Sequence, residues 1–311
     1  MALSSSSKMT TPTTTNTITK DEEKERKAKM SSLIERYKDK VSSLPMNVDH
    51  DLCKYMGFWH FHGFWYHSKA DFSVEAIMAL QDHFEAQPTD IFLASHPKSG
   101  TTWLKALAFA IMNRNKFKTR SGSCPTHPLL TISPHDCVPF MESENPKDVL
   151  TSYWHFLNKL KDDGSTPTKL DDAFELFSRG MSPYGSFWDH VIGYYKASLE
   201  QPLKVLFLKY EDLKKNPENE VTKLAKFIGN PFTEEEEFDG SVKKIIELCG
   251  FENLSKVNKD GKQTSKVLSD DIYFRKGIVG DSVNYLTNEM IQTLDKITKE
   301  KFDGLSISFE A

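Results

Sequence analysis

Ile91-Phe92-Leu93-Ala94-Ser95-His96-Pro97-Lys98-Ser99-Gly100-Thr101-Thr102-Trp103 is the stretch whose reading decides the fold. A short apolar run, 91–95, has strand length and gives way to a proline. Lys98, Ser99, Gly100, Thr101 and Thr102 follow. An amphipathic run then continues from Trp103 to Arg114, with Leu104, Leu107, Ala108, Ile111 and Met112 at helical spacing. The order is strand, loop, helix. The loop offers backbone N–H groups at a helix N-terminus, hydroxyls and one ammonium, a donor set for a phosphate or sulfate ester. A Walker loop reads GxxxxGK[ST], whereas Lys98 here precedes Gly100, which disfavours a nucleoside triphosphatase or nucleotide kinase.

Outward from this loop, helices and apolar runs alternate. Ser73 caps a predicted helix to about Ala86, and Pro88-Thr89-Asp90 breaks into the first strand. Asn145, Pro146 and Asp148 are an N-cap, a first-turn proline and a first-turn acid, so a helix starts there. Its apolar face is Val149, Leu150, Tyr153, Trp154, Leu157 and Leu160. A further helix is predicted over 186–199. Val205-Leu206-Phe207-Leu208 then reads as a buried parallel strand. Shorter helices follow around 218–228 and 242–249, and the last begins near Asn288. The aromatic segment 58–66 reads as an apolar cover.

Alternating strands and helices predict an α/β fold: a P-loop-like doubly wound parallel sheet flanked by helices. Such a sheet takes about five or six strands. Only 91–95 and 205–208 qualify, and the run His135 to Glu144 leading into the Asn145 helix is no strand. The sheet is therefore expected to be incomplete. Residues 1–45 read as a Ser/Thr-rich tail with a charged helix, and 46–311 as one domain. For residues 1–20 a disordered polar tail is preferred to a transit peptide, because Arg is absent.

Composition narrows the function. A net charge of −4 argues against a non-specific nucleic-acid binder. No apolar run of membrane-spanning length exists. Cys53, Cys124, Cys137 and Cys249 are scattered without metal-ligand spacing, which favours reduced thiols over a disulfide framework.

Four ordered segments carry a family resemblance. His96–Trp103 resembles the 5′-phosphosulfate loop of cytosolic sulfotransferases, particularly the plant enzymes. Asn145–Phe156, Lys209–Leu213 and Phe274–Asp281 resemble further motifs of the same family. The resemblance covers most of 45–311. It implies a sulfotransferase that uses 3′-phosphoadenylyl sulfate (PAPS) as donor, a small-molecule hydroxyl as acceptor, no metal, no nucleic acid, no membrane and a cytoplasmic setting. A homodimer is left open. It implies that Lys98 meets the bridging region of the donor and protonates the leaving phosphate. Ser99, Gly100, Thr101, Thr102 and Trp103 would hold the 5′-phosphate. Ser152 would bind the 3′-phosphate, Tyr210 the adenosine, and Arg275, Lys276 and Gly277 would close on the 3′-phosphate.

The chain departs from the family before Asn145. The family has there a strand ending in Arg, and upstream a second strand carrying the His that acts as general base; here Glu144 stands in the Arg position. A few dozen residues with both strands are missing, in line with the strand deficit. Losing the base costs roughly 10²–10⁴ in rate. The alternative reading is thus an impaired splice or gene-model variant that at most binds nucleotide. His135 and His155 are weak candidates to replace the base. Gly250 and Ser282 are smaller departures, near the adenine site and after Asp281. Acceptor contacts are expected near 58–67 and 184–195, and their aromatic content suggests a flat or apolar molecule.

Overall fold

The computed structural model describes residues 20–47, 57–67, 73–96, 98–117, 127–131, 134, 145–159, 166–182, 185–259 and 276–307. Arg275, Pro97, His135, Glu144 and residues 1–19 lie outside these, as do Cys53, Cys124 and Cys137. In chain order the described helices are α1 (Lys20–Glu35), α2 (Lys38–Ser42), α3 (Val74–His83), α4 (Thr101–Asn113), α5 (Pro146–Lys159), α6 (Leu170–Ser178), α7 (Phe187–Glu200), α8 (Tyr210–Lys215), α9 (Pro217–Phe227), α10 (Glu234–Phe238), α11 (Ser241–Leu248), α12 (Phe251–Lys259) and α13 (Asn288–Lys301). None is long and apolar enough to cross a membrane.

The start signals act as expected. Ser73 accepts from the Ala76 N–H, and the Asn145 side chain accepts from the Lys147 N–H at 3.0 Å. These bonds satisfy N–H groups that have no partner inside their helices. The acidic run 234–237 is a helix start closed by a reciprocal Thr233–Glu236 capping box.

Two helical cores form. In one, Leu107, Ala110 and Ile111 of α4 pack on Val221 and Leu224 of α9 and Ile245 of α11. In the other, Val149 and Leu150 of α5 meet Phe177 of α6, Phe187, Trp188 and Val191 of α7, and Leu294 of α13. Arg114, just past α4, makes a buried ion pair with Glu236 at 3.1 Å and also donates to the Asn230 and Pro231 carbonyls. Toward the N-terminus, Tyr37 and Val41 pack with Val74 and Met78.

The strands require a correction. The described sheet is antiparallel and small, with β1 (Met46–Asn47), β2 (Phe58–Phe61) and β3 (Phe64–His67) in the order β1-β2-β3. The aromatic cover segment is therefore a hairpin. The expected core strands 91–95 and 205–208 run without ladder bonds among the described residues. The side chains of 206–208 still behave as strand side chains. Leu206 and Leu208 pack toward the α4 core while Phe207 packs toward the α5–α7 core, the period-two alternation of a strand between two layers. Ladder bonds need a neighbour within about 4.8 Å, and the described residues supply none to either run. Ile91 and Phe92 are accordingly 45% and 54% exposed.

Candidate active site

The loop 98–100 has an uncommon backbone. Gly100 (φ +93°) caps α4 in the left-handed region and offers no side-chain acceptor to the helix N-terminus. Lys98 is left-handed too, at φ +69°. For a residue with a Cβ this conformation costs roughly 1–2 kcal/mol, and it tends to occur at sites that use it. The Lys98 ammonium lies 5.0 Å from the centroid of the Phe156 ring on α5, within cation–π range.

Ser99 donates its hydroxyl to the His96 carbonyl, which fixes the loop's curl. The Thr101 and Ser95 hydroxyls are 3.5 Å apart. Thr102 is half-buried. Trp103 stands edge-on to Tyr210 with centroids 5.6 Å apart, and its buried Nε1–H has no acceptor among the described residues.

Tyr210 opens α8, an element the sequence reading did not assign as helix. The helical turn places Lys214 on the same face. The Lys214 ammonium reaches both the Trp103 and Tyr210 rings, at 5.8 and 6.0 Å, and donates to the Gly277 carbonyl at 3.3 Å. Glu211 is buried beside it and accepts from the Asn145 amide at 3.5 Å. Burial raises the Glu211 pKa, and that hydrogen bond opposes the rise.

Asp148 closes the arrangement. In the first turn of α5 it does more than face the helix dipole. Its two oxygens accept the Gly280 N–H at 2.7 Å and the Ser282 N–H at 3.0 Å. Lys276 donates to Asp281 at 3.0 Å and Tyr285 at 3.3 Å, and those partners, Asp281 foremost, raise its pKa. Gly277 has φ +63°, and a Cβ there would lie 2.7 Å from the Phe251 ring. Only glycine meets both conditions without strain.

The structure thus brings together the four expected segments: Lys98–Trp103, the start of α5, Tyr210 on α8, and Lys276–Gly280. Ser152 lies half-buried about two turns into α5. Its expected partner Arg275 lies outside the described residues. His155 packs among Trp154 and Tyr285, with centroids at 4.5 and 4.8 Å, and does not line the cavity beside the loop. Lys214 and the Asp148 tether went unread in the sequence. The i, i+4 spacing of Tyr210 and Lys214 was the signal for the first. The second had none, because its bonds go to backbone atoms 132 and 134 residues away.

Comparisons with known proteins agree. The sulfotransferase domain family matches residues 88–144 and 143–306, in two pieces that meet just before α5. Cytosolic sulfotransferase 5 of Arabidopsis thaliana is 39% identical over 331 positions, covering 90% of this chain and 98% of the relative. Ninety per cent of 311 residues is about 280, so about 50 of those 331 positions have no counterpart here. A flavonol 3-sulfotransferase of Flaveria bidentis is 39% identical, with 86% and 98% coverage. The crystal structure of a putative steroid sulphotransferase of Arabidopsis thaliana superposes with TM-score 0.67 at 30% identity, covering 90% of this chain and 97% of that one. A mouse sulfotransferase complexed with PAP shares the fold, with TM-score 0.56 at 23% identity over 79% and 95%. These solved neighbours have the P-loop-like α/β fold, of which the present chain retains the helical layers and two core runs without ladder bonds among the described residues. The chain belongs to the sulfotransferase family.

Proposed function

We propose that this chain binds PAPS across the four joined segments and transfers its sulfonate to a hydroxyl of a small molecule. The observation that carries the reading is the closure of those segments through Trp103–Tyr210, Lys214–Gly277, Asp148–Gly280 and Asn145–Glu211. The residues fit an anionic nucleotide. Among the described residues the α4 N-terminus lacks a side-chain cap, the Trp103 indole N–H lacks an acceptor, and Lys98, Lys214 and Lys276 supply positive charge nearby. When bound, the donor supplies an activated sulfonate on a phosphate leaving group.

In this reading the loop N–H groups and hydroxyls of Ser99–Trp103 hold the 5′-phosphate. Lys98 neutralises charge on the leaving oxygen and returns a proton to it. Ser152, together with Arg275, Lys276 and Gly277, holds the 3′-phosphate. Tyr210, fixed edge-on by Trp103, borders the adenosine. The relatives named flavonol sulfotransferases, together with the aromatic wall of Tyr194 and Phe207, support a flat phenolic acceptor. Relatives named cytosolic support a cytoplasmic setting.

A second reading is favoured by the two core runs that lack ladder bonds among the described residues and by the roughly 50 missing positions: the chain binds nucleotide and transfers nothing. Two measurements decide. PAP (3′-phosphoadenosine 5′-phosphate) at about a hundred times its Kd adds about 2.7 kcal/mol, a Tm rise of about 5 °C or more, and ATP does not match it. Mass spectrometry then follows sulfonate transfer from PAPS to a phenol. A flat thermal response refutes donor binding. Binding without product establishes the second reading.

A further inference from the structure

Helix α7 presents His190 and Tyr194 to the cavity beside the phosphate loop. They are one helical turn apart and share a face. The cavity is about 70 Å³, with Ser99, Gly100 and Thr101 among its lining. That is room for roughly five waters, enough for a sulfonate and the hydroxyl end of an acceptor. His190 Nε2 is buried with no hydrogen-bond partner among the described residues. Its ring lies 4.9 Å from that of Tyr194 and 6.0 Å from that of His96. Buried polar atoms are normally satisfied, so this orphan, on a residue that lines the cavity, points to a group that reaches it when the site is occupied.

We propose that His190 accepts the proton of the attacking hydroxyl in this chain, an assignment that rests on the sulfonate-transfer reading above. In the tautomer protonated on Nδ1, Nε2 offers its lone pair. The acceptor oxygen forms a bond to sulfur while the bond from sulfur to the bridging phosphate oxygen breaks. The phosphate oxygen keeps that electron pair, and the hydroxyl proton passes to Nε2, to be released later to solvent. Among the described residues no carboxylate or ammonium lines the cavity. The titratable groups facing His190 are Tyr194 on its own helix, His96 on the run into the loop and Tyr210 across the cavity. Burial alone lowers the imidazole pKa to about 4 and raises that of Tyr194. Both are therefore neutral near pH 7. A base this weak suits an acceptor whose hydroxyl is itself acidic, a phenol rather than an aliphatic alcohol.

The test compares wild type with His190→Ala and His190→Gln in the full chain, using PAPS with 4-methylphenol and with 4-nitrophenol. PAP affinity, measured separately, is expected to stay within about threefold. Turnover of 4-methylphenol falls 100-fold or more, added imidazole restores part of it in His190→Ala, and 4-nitrophenol, already ionised above neutral pH, loses less than tenfold. Equal losses for the two phenols, or activity within threefold of wild type in both variants, overturns the assignment. So does wild-type protein that binds PAP and makes no product, which leaves donor binding intact. Absence of PAP binding overturns the underlying reading as well.

Discussion

The Asp148 carboxylate accepts the Gly280 N–H at 2.7 Å across 132 residues of sequence. With the Ser282 bond it pins the Lys276–Gly280 turn to the start of α5. Hydrogen bonds to a charged acceptor contribute about 1.5–3 kcal/mol each, and removing the acceptor strands buried donors. Asp148→Ala is expected to lower stability by about 2–4 kcal/mol and weaken PAP binding at least tenfold. Asp148→Asn, which keeps one acceptor oxygen, falls between. Urea melts and calorimetric titration check both effects, and unchanged PAP affinity in Asp148→Ala would sever the turn from the site.

Gly277 gives a sharper geometric prediction. A Cβ would meet the Phe251 ring at 2.7 Å, and φ is +63°. Gly277→Ala is expected to weaken PAP binding about tenfold with little loss of global stability. Phe251→Ala in the same chain recovers only part of the affinity, since the backbone penalty of about 1 kcal/mol remains. Full recovery would show that the clash acts alone.

Arg114 and Glu236 are buried partners at 3.1 Å. Removing one member of such a pair leaves an uncompensated charge and costs about 3–5 kcal/mol. Arg114→Met is expected to lower Tm by several degrees without changing PAP affinity at a temperature where the variant is folded. The double substitution Arg114→Met with Glu236→Gln recovers part of the loss.

His190 also predicts how stability varies with pH. Its folded pKa, lowered to about 4 by burial, lies below the ordinary 6.5. Between those values the unfolded chain binds the proton and the folded chain does not. Stability therefore rises with pH through that window and is lost on acidification from about 6.5 toward 4. The contribution is at most about 3 kcal/mol. His190→Gln should lose about 1–3 kcal/mol less than wild type between pH 7 and pH 4.5 in urea titrations. Parallel losses in the two proteins would contradict the buried, neutral imidazole.

The helices were largely legible in the sequence because their signals are local. Ser73, Asn145 and the spacing of Leu104, Leu107 and Ile111 act within a few residues. The runs 91–95 and 205–208 were legible as apolar and extended, but whether they pair depends on strands elsewhere, and the missing stretch before Asn145 already warned of the outcome. The loop 98–103, Ser152, Tyr210 and Lys276–Gly277 were singled out by motif, and their roles rest on the proposed donor site. Asp148 was seen only as a helix-start acid, since a bond to a backbone N–H leaves no mark on the partner's identity. His190 was passed over for His135 and His155, because burial and the lack of a partner are three-dimensional properties.

The central claim is that four segments form one donor site. Amide hydrogen exchange, with and without PAP, tests it directly. The account predicts that protection rises together in 98–103, 146–152, 210–214 and 276–282. Protection confined to 98–103, or absent from all four, would contradict it.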